Sequence, residues 1–264
     1  MGKFLFNFII KDMNNVLKNN NEQMQVDSTV FKYSPGQKHS ASIIVDSEDQ
    51  TEALKVAKHL ANISLSKVCF CYASEAQICD EGYSITDLSI DPFRPRVSTS
   101  ITIAYSTLGW EPAELLNRIG SLPQERMNVV DLALLYLKLS SRRNPLRIES
   151  LFSSMTVIIR DLYPDKIGNK YDPEHVATSL LKNGIKEILK CNVGFDEMQF
   201  DKQWTECYLD ERCSIAHGKK STILDISRKY ESEELVRDVY NWAANLILFY
   251  INKFAQKTPM DRTN

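Results

Sequence analysis

The segment ERCSIAHGKK, Glu211 to Lys220, places Arg212 five positions before His217 and follows the histidine with Gly218, Lys219 and Lys220. It reads either as the basic end of a helix or as half of a site that acts on phosphate. On an ideal α-helix five residues turn through about 500°, so the two side chains diverge by roughly 140°. They meet on one small group only if the helix end is distorted, which Gly218 permits, or if a partner chain supplies a second copy of the motif. Arginine holds phosphate oxygens in a fork, and histidine moves a proton near neutral pH. RNA carries its own nucleophile in the 2′-hydroxyl, so such a pair suits cleavage without a metal. Lys219 and Lys220 offset the negative end of the helix dipole for an incoming phosphate, although basic residues are favoured there in any case.

Working outward, the motif ends a helix expected from about Gln203 through Ala216, with Gly218 as its stop. Trp204 and Tyr208, four apart, read as a core stripe before they read as base-stacking residues. A further helix is expected from near Ser232 through Leu235, Val239, Trp242, Leu246, Phe249 and Tyr250. Upstream, Val129 to Leu139 is apolar almost all round, which predicts a deeply packed helix. Asn144-Pro145 and Asp172-Pro173 each read as helix starts, the first before Ile148, Leu151, Phe152, Met155, Ile158, Ile159 and Leu162, the second before Val176, Leu180, Ile188 and Leu189.

The first half has a different texture. Residues 41–45 (ASIIV), 83–90 (YSITDLSI) and 97–105 (VSTSITIAY) are rich in β-branched residues and partly alternate, as strands do. Between the first two, Leu54, Ala57, Ala61, Leu65 and Val68 recur at three- and four-residue steps, the stripe of a half-buried helix. The apolar opening FLFNFII (Phe4 to Ile10) carries Asn7 and runs into Lys11-Asp12 without a small-residue cleavage site, so it is expected to be the first structured element and not a signal peptide. DPFRPR (91–96) reads as a turn between strands, and Pro112 and Pro123 bracket the passage into the helical part. The expected fold class is α+β, with a mixed α+β domain over 1–119 and an all-α bundle over 120–264.

RCSIAHG (Arg212 to Gly218), placed after WTECYLDE and before the apolar helix ending NLILFYINKF, resembles the C-terminal half of a HEPN domain, an all-α bundle marked by an arginine, four to six residues and a histidine. The resemblance covers roughly residues 120 to 255. It implies a metal-independent endoribonuclease acting as a homodimer, with Arg212 and His217 catalytic, RNA as substrate and no cofactor. Ser214, Lys219 and Lys220 are the accompanying candidates for substrate contact. A toxin or antiphage-defence effector is the implied setting, with an antitoxin or regulatory protein as a partner and the N-terminal region as a candidate sensor. Cys213 stands where the family frequently has a polar residue, with Ser214 offering a nearby hydroxyl. The competing expectation is therefore a non-catalytic HEPN-like module for dimerisation or for binding nucleotide or RNA.

Composition bounds the rest. The chain has 264 residues, with 32 Lys+Arg against 34 Asp+Glu, so no general electrostatic attraction to nucleic acid or anionic membrane is expected and any phosphate binding must be local. No stretch offers the roughly 18 uninterrupted apolar residues of a membrane helix, and a cytoplasmic protein is expected. The six cysteines, 69, 71, 79, 191, 207 and 213, lack zinc-site or disulfide-framework spacing and read as reduced structural thiols. HGKKS (217–221) is not a P-loop, because Cys213 occupies the place of the required upstream glycine. His39, His59 and His175 are scattered without metal-ligand spacing, while Asp210, Glu211, Arg142 and Arg143 read as solvated charges.

Overall fold

The computed structural model describes residues 2–11, 23–32, 39–72, 76–88, 111–140, 147–191, 195–212 and 233–255. The chain divides into two compact units, Met1–Ser121 and Leu122–Asn264, and the class is α+β. Among the described residues no helix is long and apolar enough to cross a membrane.

The first unit is an antiparallel sheet with a helix on one face. Its strands are β1 (Gly2–Lys11), β2 (Gln23–Val26), β3 (Thr29–Lys32), β4 (His39–Ser47) and β5 (Gln77–Asp87), in the order β2-β3-β4-β1-β5. The opening FLFNFII is thus the sheet's central strand. Its side chains alternate faces, as a strand demands. Phe4, Phe6, Phe8 and Ile10 are buried, with Phe6 opposite both Ile43 and Ile85. Asn7 points to the other face, where it accepts from Ser42 Oγ at 2.6 Å and donates to Ser84 Oγ at 3.3 Å. A polar residue in an apolar run is satisfied here by its two cross-strand neighbours.

Helix α1 (Gln50–Cys71) covers the apolar face. Asp49 caps it, accepting the backbone N–H groups of Thr51 and Glu52 at 3.2 and 3.1 Å. Ala53, Ala57, Ala61, Leu65 and Val68 form its buried stripe against the phenylalanines of β1 and against Phe31, Ile43 and Val45. The small residues let the helix approach the sheet closely while the sheet supplies the bulk. Helix α2 (Pro112–Gly120) packs on α1 and buries Leu115 and Ile119. The expected strand at 97–105 and the turn at 91–96 lie outside the described residues.

The second unit is helical: α3 (Gln124–Leu139), α4 (Arg147–Leu162), α5 (Thr178–Leu189), α6 (Glu197–Trp204) continuing as a π-helix (Thr205–Arg212), and α7 (Glu233–Phe254). Arg126 on α3, Asp161 on α4 and Tyr250 on α7 tie three of these together. Arg126 pairs with Asp161, and the Tyr250 hydroxyl donates to the same carboxylate oxygen at 2.6 Å. Burial, reinforced by that bond, pushes the Tyr250 phenol above its ordinary range and keeps it a donor. Phe254 lies under the Arg126 guanidinium at 4.5 Å.

Two expectations require correction. Helix α3 is not packed all round: Val130, Ala133, Leu134 and Leu137 are buried, but Leu132 and Leu139 are 38% and 55% exposed. Asp172-Pro173 does not start α5. The Asp172 carboxylate accepts the Glu174 N–H at 2.9 Å, and its carbonyl accepts from Asn169 and His175, so the pair closes a turn and the helix waits until Thr178. Gly168, at φ +89°, belongs to the same turn, where an added Cβ would meet the Pro173 carbonyl oxygen at 3.0 Å. The Asn144-Pro145 start lies outside the described residues.

Among the described residues, the buried Thr29 hydroxyl on β3 lacks a hydrogen bond. Thr29→Val keeps the shape and removes the orphan, so it is expected to stabilise the protein by about 1 kcal/mol in urea unfolding; a loss of stability would show that the hydroxyl has a partner.

Candidate functional site

The approach of the chain to Arg212 is built from α5 and α6. Asp196 caps α6 by accepting the N–H groups of Met198 and Gln199 at 2.9 and 3.0 Å. Lys182, Lys186 and Lys190 recur every four residues along one face of α5, and Glu197 and Asp201 do the same on α6. They interlock: Lys182 and Lys186 reach Asp201 at 2.8 and 3.0 Å, and Lys186 and Lys190 reach Glu197 at 2.7 and 2.9 Å. Hydrogen bonds from the lysines hold both carboxyls below the ordinary carboxylate range, and Lys186 is raised by the same contacts.

On its inner side the same helix is anchored by rings. Phe152 of α4 meets Trp204 and Tyr208 edge-on, with centroids 5.5 and 5.0 Å away, and Trp204 stacks on Tyr208 at 4.5 Å. Phe200 adds Trp242 of α7 at 4.7 Å. Trp204 and Tyr208 are both buried, so they serve the core and offer no ring for a base. The Tyr208 hydroxyl lies 3.2 Å from Thr178 Oγ1 at the start of α5, and Gln203 bonds Asp238 of α7.

From Thr205 to Arg212 the backbone is π-helical, not the regular α-helix expected from Gln203 to Ala216. Arg212 is its last residue. Ser214, His217, Lys219 and Lys220 lie outside the described residues, as do Cys213 and Gly218. The described structure thus carries the lead into the motif and ends at its first member. The Asp196-Glu197 start of this helix went unread in the sequence, although an aspartate before an acidic first turn was there to signal it.

The first unit holds a second constellation that no motif announced. Lys67 on α1 is 2% exposed, and its ammonium contacts Asp27 Oδ1 and Oδ2 at 3.2 and 3.0 Å. Ser64 donates to Asp27 Oδ2 at 3.2 Å. Asp27 turns the chain between β2 and β3 with φ at +52°, a region in which aspartate is better tolerated than most side chains. The pair borders a cleft of about 420 Å³ whose walls are Gln25, Val26 and Asp27, Lys67, and Leu116 to Ser121 except Arg118. Nearby, burial pushes the Cys71 thiol well above its ordinary range, an effect that Lys67 partly opposes.

Among the described residues, Cys69, Cys71, Cys79 and Cys207 are buried thiols outside any disulfide and Cys191 is an exposed one. Among the described residues no group of three or more His, Cys, Asp and Glu side chains is placed to hold a metal ion. Compared with known proteins, the chain matches no family model, no curated protein and no solved structure.

Because Glu197 and Asp201 titrate lower when folded, their contribution is fully present above the ordinary carboxylate pKa of about 4 and is lost as pH falls through the depressed values. Unfolding followed by tryptophan fluorescence is expected to show wild type losing more stability between pH 5 and 2, order-of-magnitude limits set by those carboxylates, than the double variant Glu197→Gln, Asp201→Asn. Parallel pH profiles would remove the ladder from the account.

Proposed function

We propose that this chain is a metal-independent endoribonuclease of HEPN type that works as a homodimer, with Arg212 and His217 as its catalytic residues. The carrying observation is that the Arg-x4-His-Gly sequence begins at the end of a π-helix anchored by buried aromatic rings. A π turn bonds each residue to the fifth beyond it, so positions five apart fall nearer to one face than on an α-helix, which splays them by about 140°. Cleavage requires the guanidinium of Arg212 and the imidazole of His217 to converge on one phosphate.

The chemistry follows from the two groups. His217 takes the proton of the ribose 2′-hydroxyl as that oxygen attacks phosphorus, and Arg212 binds the charged equatorial oxygens of the pentacoordinate state. The P–O5′ bond breaks, leaving a 2′,3′-cyclic phosphate and a 5′-hydroxyl that gains a proton. Ser214, Lys219 and Lys220 bind the flanking phosphate. Leu132 and Leu139, seven apart on α3 and exposed, supply apolar surface for a second copy. A cytoplasmic toxin or antiphage effector, held in check by an antitoxin or regulatory protein, is the setting in which such an activity is useful.

Cys213 favours a second reading, a non-catalytic HEPN-like module that dimerises or binds nucleotide or RNA, since the hydroxyl or amide that would assist Arg212 is replaced by a thiol. The two readings separate in one assay. Purified protein in chelator is expected to cut single-stranded RNA to cyclic-phosphate ends, and Arg212→Ala and His217→Ala each to lower the rate at least a hundredfold with unchanged circular dichroism. Equal rates in wild type and both variants mean a contaminating nuclease and end the catalytic reading; binding without cleavage supports the second. The solution mass is expected at twice 30.3 kDa.

A further inference from the structure

The loop between α4 and α5 displays an aromatic ring on an ordered backbone. Tyr171 is 88% exposed, the most open large hydrophobic side chain among the described residues. Its backbone is pinned all the same. Asn169 Oδ1 accepts the N–H groups of Tyr171 and Asp172, both at 2.8 Å, and the Gly168 N–H donates to the His175 carbonyl at 2.7 Å to close the turn. Arg160 of α4 pairs with Glu174 at 3.0 Å and ties the turn to the bundle. A ring held out in this way gives up little freedom when a flat group settles on it.

A lone exposed apolar residue is ordinary on any surface. What sets Tyr171 apart is its company. The Lys170 ammonium lies 5.7 Å from the centroid of its ring, and the Lys166 ammonium lies 5.2 Å from that of Tyr163, so two rings and two cations alternate along one loop. Of the loop's acids, Glu174 is committed to Arg160 and Asp172 accepts the Glu174 N–H, so the two lysines outweigh Asp165. Pro173 apart, the exposed neighbours of Tyr171 are polar, unlike the packed apolar surround of a protein hot spot. A base stacked on a ring with its phosphates beside ammonium groups fits this chemistry, and only an unpaired strand offers a free base face. The loop ends at Thr178, whose Oγ1 lies 3.2 Å from the Tyr208 hydroxyl, four residues before Arg212. The chain from Tyr171 to Thr178 spans at most about 25 Å, a reach suited to single-strand sites of roughly 4–16 nucleotides.

We propose that this loop is a docking platform for single-stranded RNA, with a base stacked on Tyr171 and the adjoining phosphates held by Lys170 and Lys166. The proposal rests on the reading of this chain as a protein that acts on RNA. Its test uses a fluorescent 2′-O-methyl oligonucleotide, which lacks the nucleophile, so binding is read without cleavage. By anisotropy of the full chain, Tyr171→Ala is expected to weaken binding about tenfold with an unchanged unfolding midpoint, and Tyr171→Trp to retain it. Lys170→Ala is expected to lower the salt slope by about one. Irradiation with an oligonucleotide carrying 5-iodouridine is expected to crosslink Tyr171, identified by peptide mass. Equal affinity of wild type and Tyr171→Ala overturns the proposal, as does a crosslink map without Tyr171 or an oligonucleotide that fails to bind at micromolar protein. A Tyr171→Ala variant that binds RNA as wild type does but changes in solution mass also overturns it and assigns the ring to a protein contact. Binding through Tyr171 without cleavage of natural RNA upholds the platform and ends the catalytic reading; cleavage and binding indifferent to Tyr171 do the reverse.

Discussion

Three rings in contact, Phe152, Trp204 and Tyr208, set how the chain reaches Arg212. A buried aromatic of this size is worth about 3–5 kcal/mol against truncation to alanine. The cluster therefore outweighs the surface ion pairs on the other side of the same helix, which contribute a fraction of that each. The division of labour is plain: the rings supply the energy, while the lysines of α5 and the carboxylates of α6 fix the helix's rotation and register. Where the rings end, at Tyr208, the backbone is already in its wider π winding.

The rest of the helical unit repeats this pairing of apolar mass with a few directional contacts. Arg126, Asp161 and Tyr250 place one charge-assisted knot among α3, α4 and α7, around which Met155, Ile158, Ile159, Val239, Leu246 and Ile247 are buried. Gly184 does the opposite job by subtraction. A Cβ there would come within 2.8 Å of Ile159 Cδ1, so the missing methyl sets how near α5 sits to α4.

Much of this was legible in the sequence because it rests on periodicity. The stripe from Ala57 to Val68 and the apolar face of α4 are each written at the spacing of the element they form, whereas FLFNFII was expected only as a structured element although Phe4, Phe6 and Phe8 alternate. What was not legible depends on partners distant in the chain. Strands β2 and β3 are four residues each, too short for a pattern, and their turn at Asp27-Ser28 has no glycine to announce it. Asp172-Pro173 has the letters of a helix start, but hydrogen bonds within the Gly168–His175 turn claim them first. The Lys67–Asp27 cleft joins positions forty apart and has no local signature at all. Of the candidate site, the Arg–His spacing was readable and the π winding that leads to it was not.

The distribution of sulfur gives the molecule a built-in reporter. Cys69, Cys71, Cys79 and Cys207 are sealed, whereas Cys191 is exposed just past the end of α5, next to the lysine that meets Glu197. Among the described thiols a fluorophore reagent would find that one first. A dye at this position would sit beside the last lysine of the charge zipper, and its emission would register whether the two helices are fastened or parted without any change to the aromatic interior.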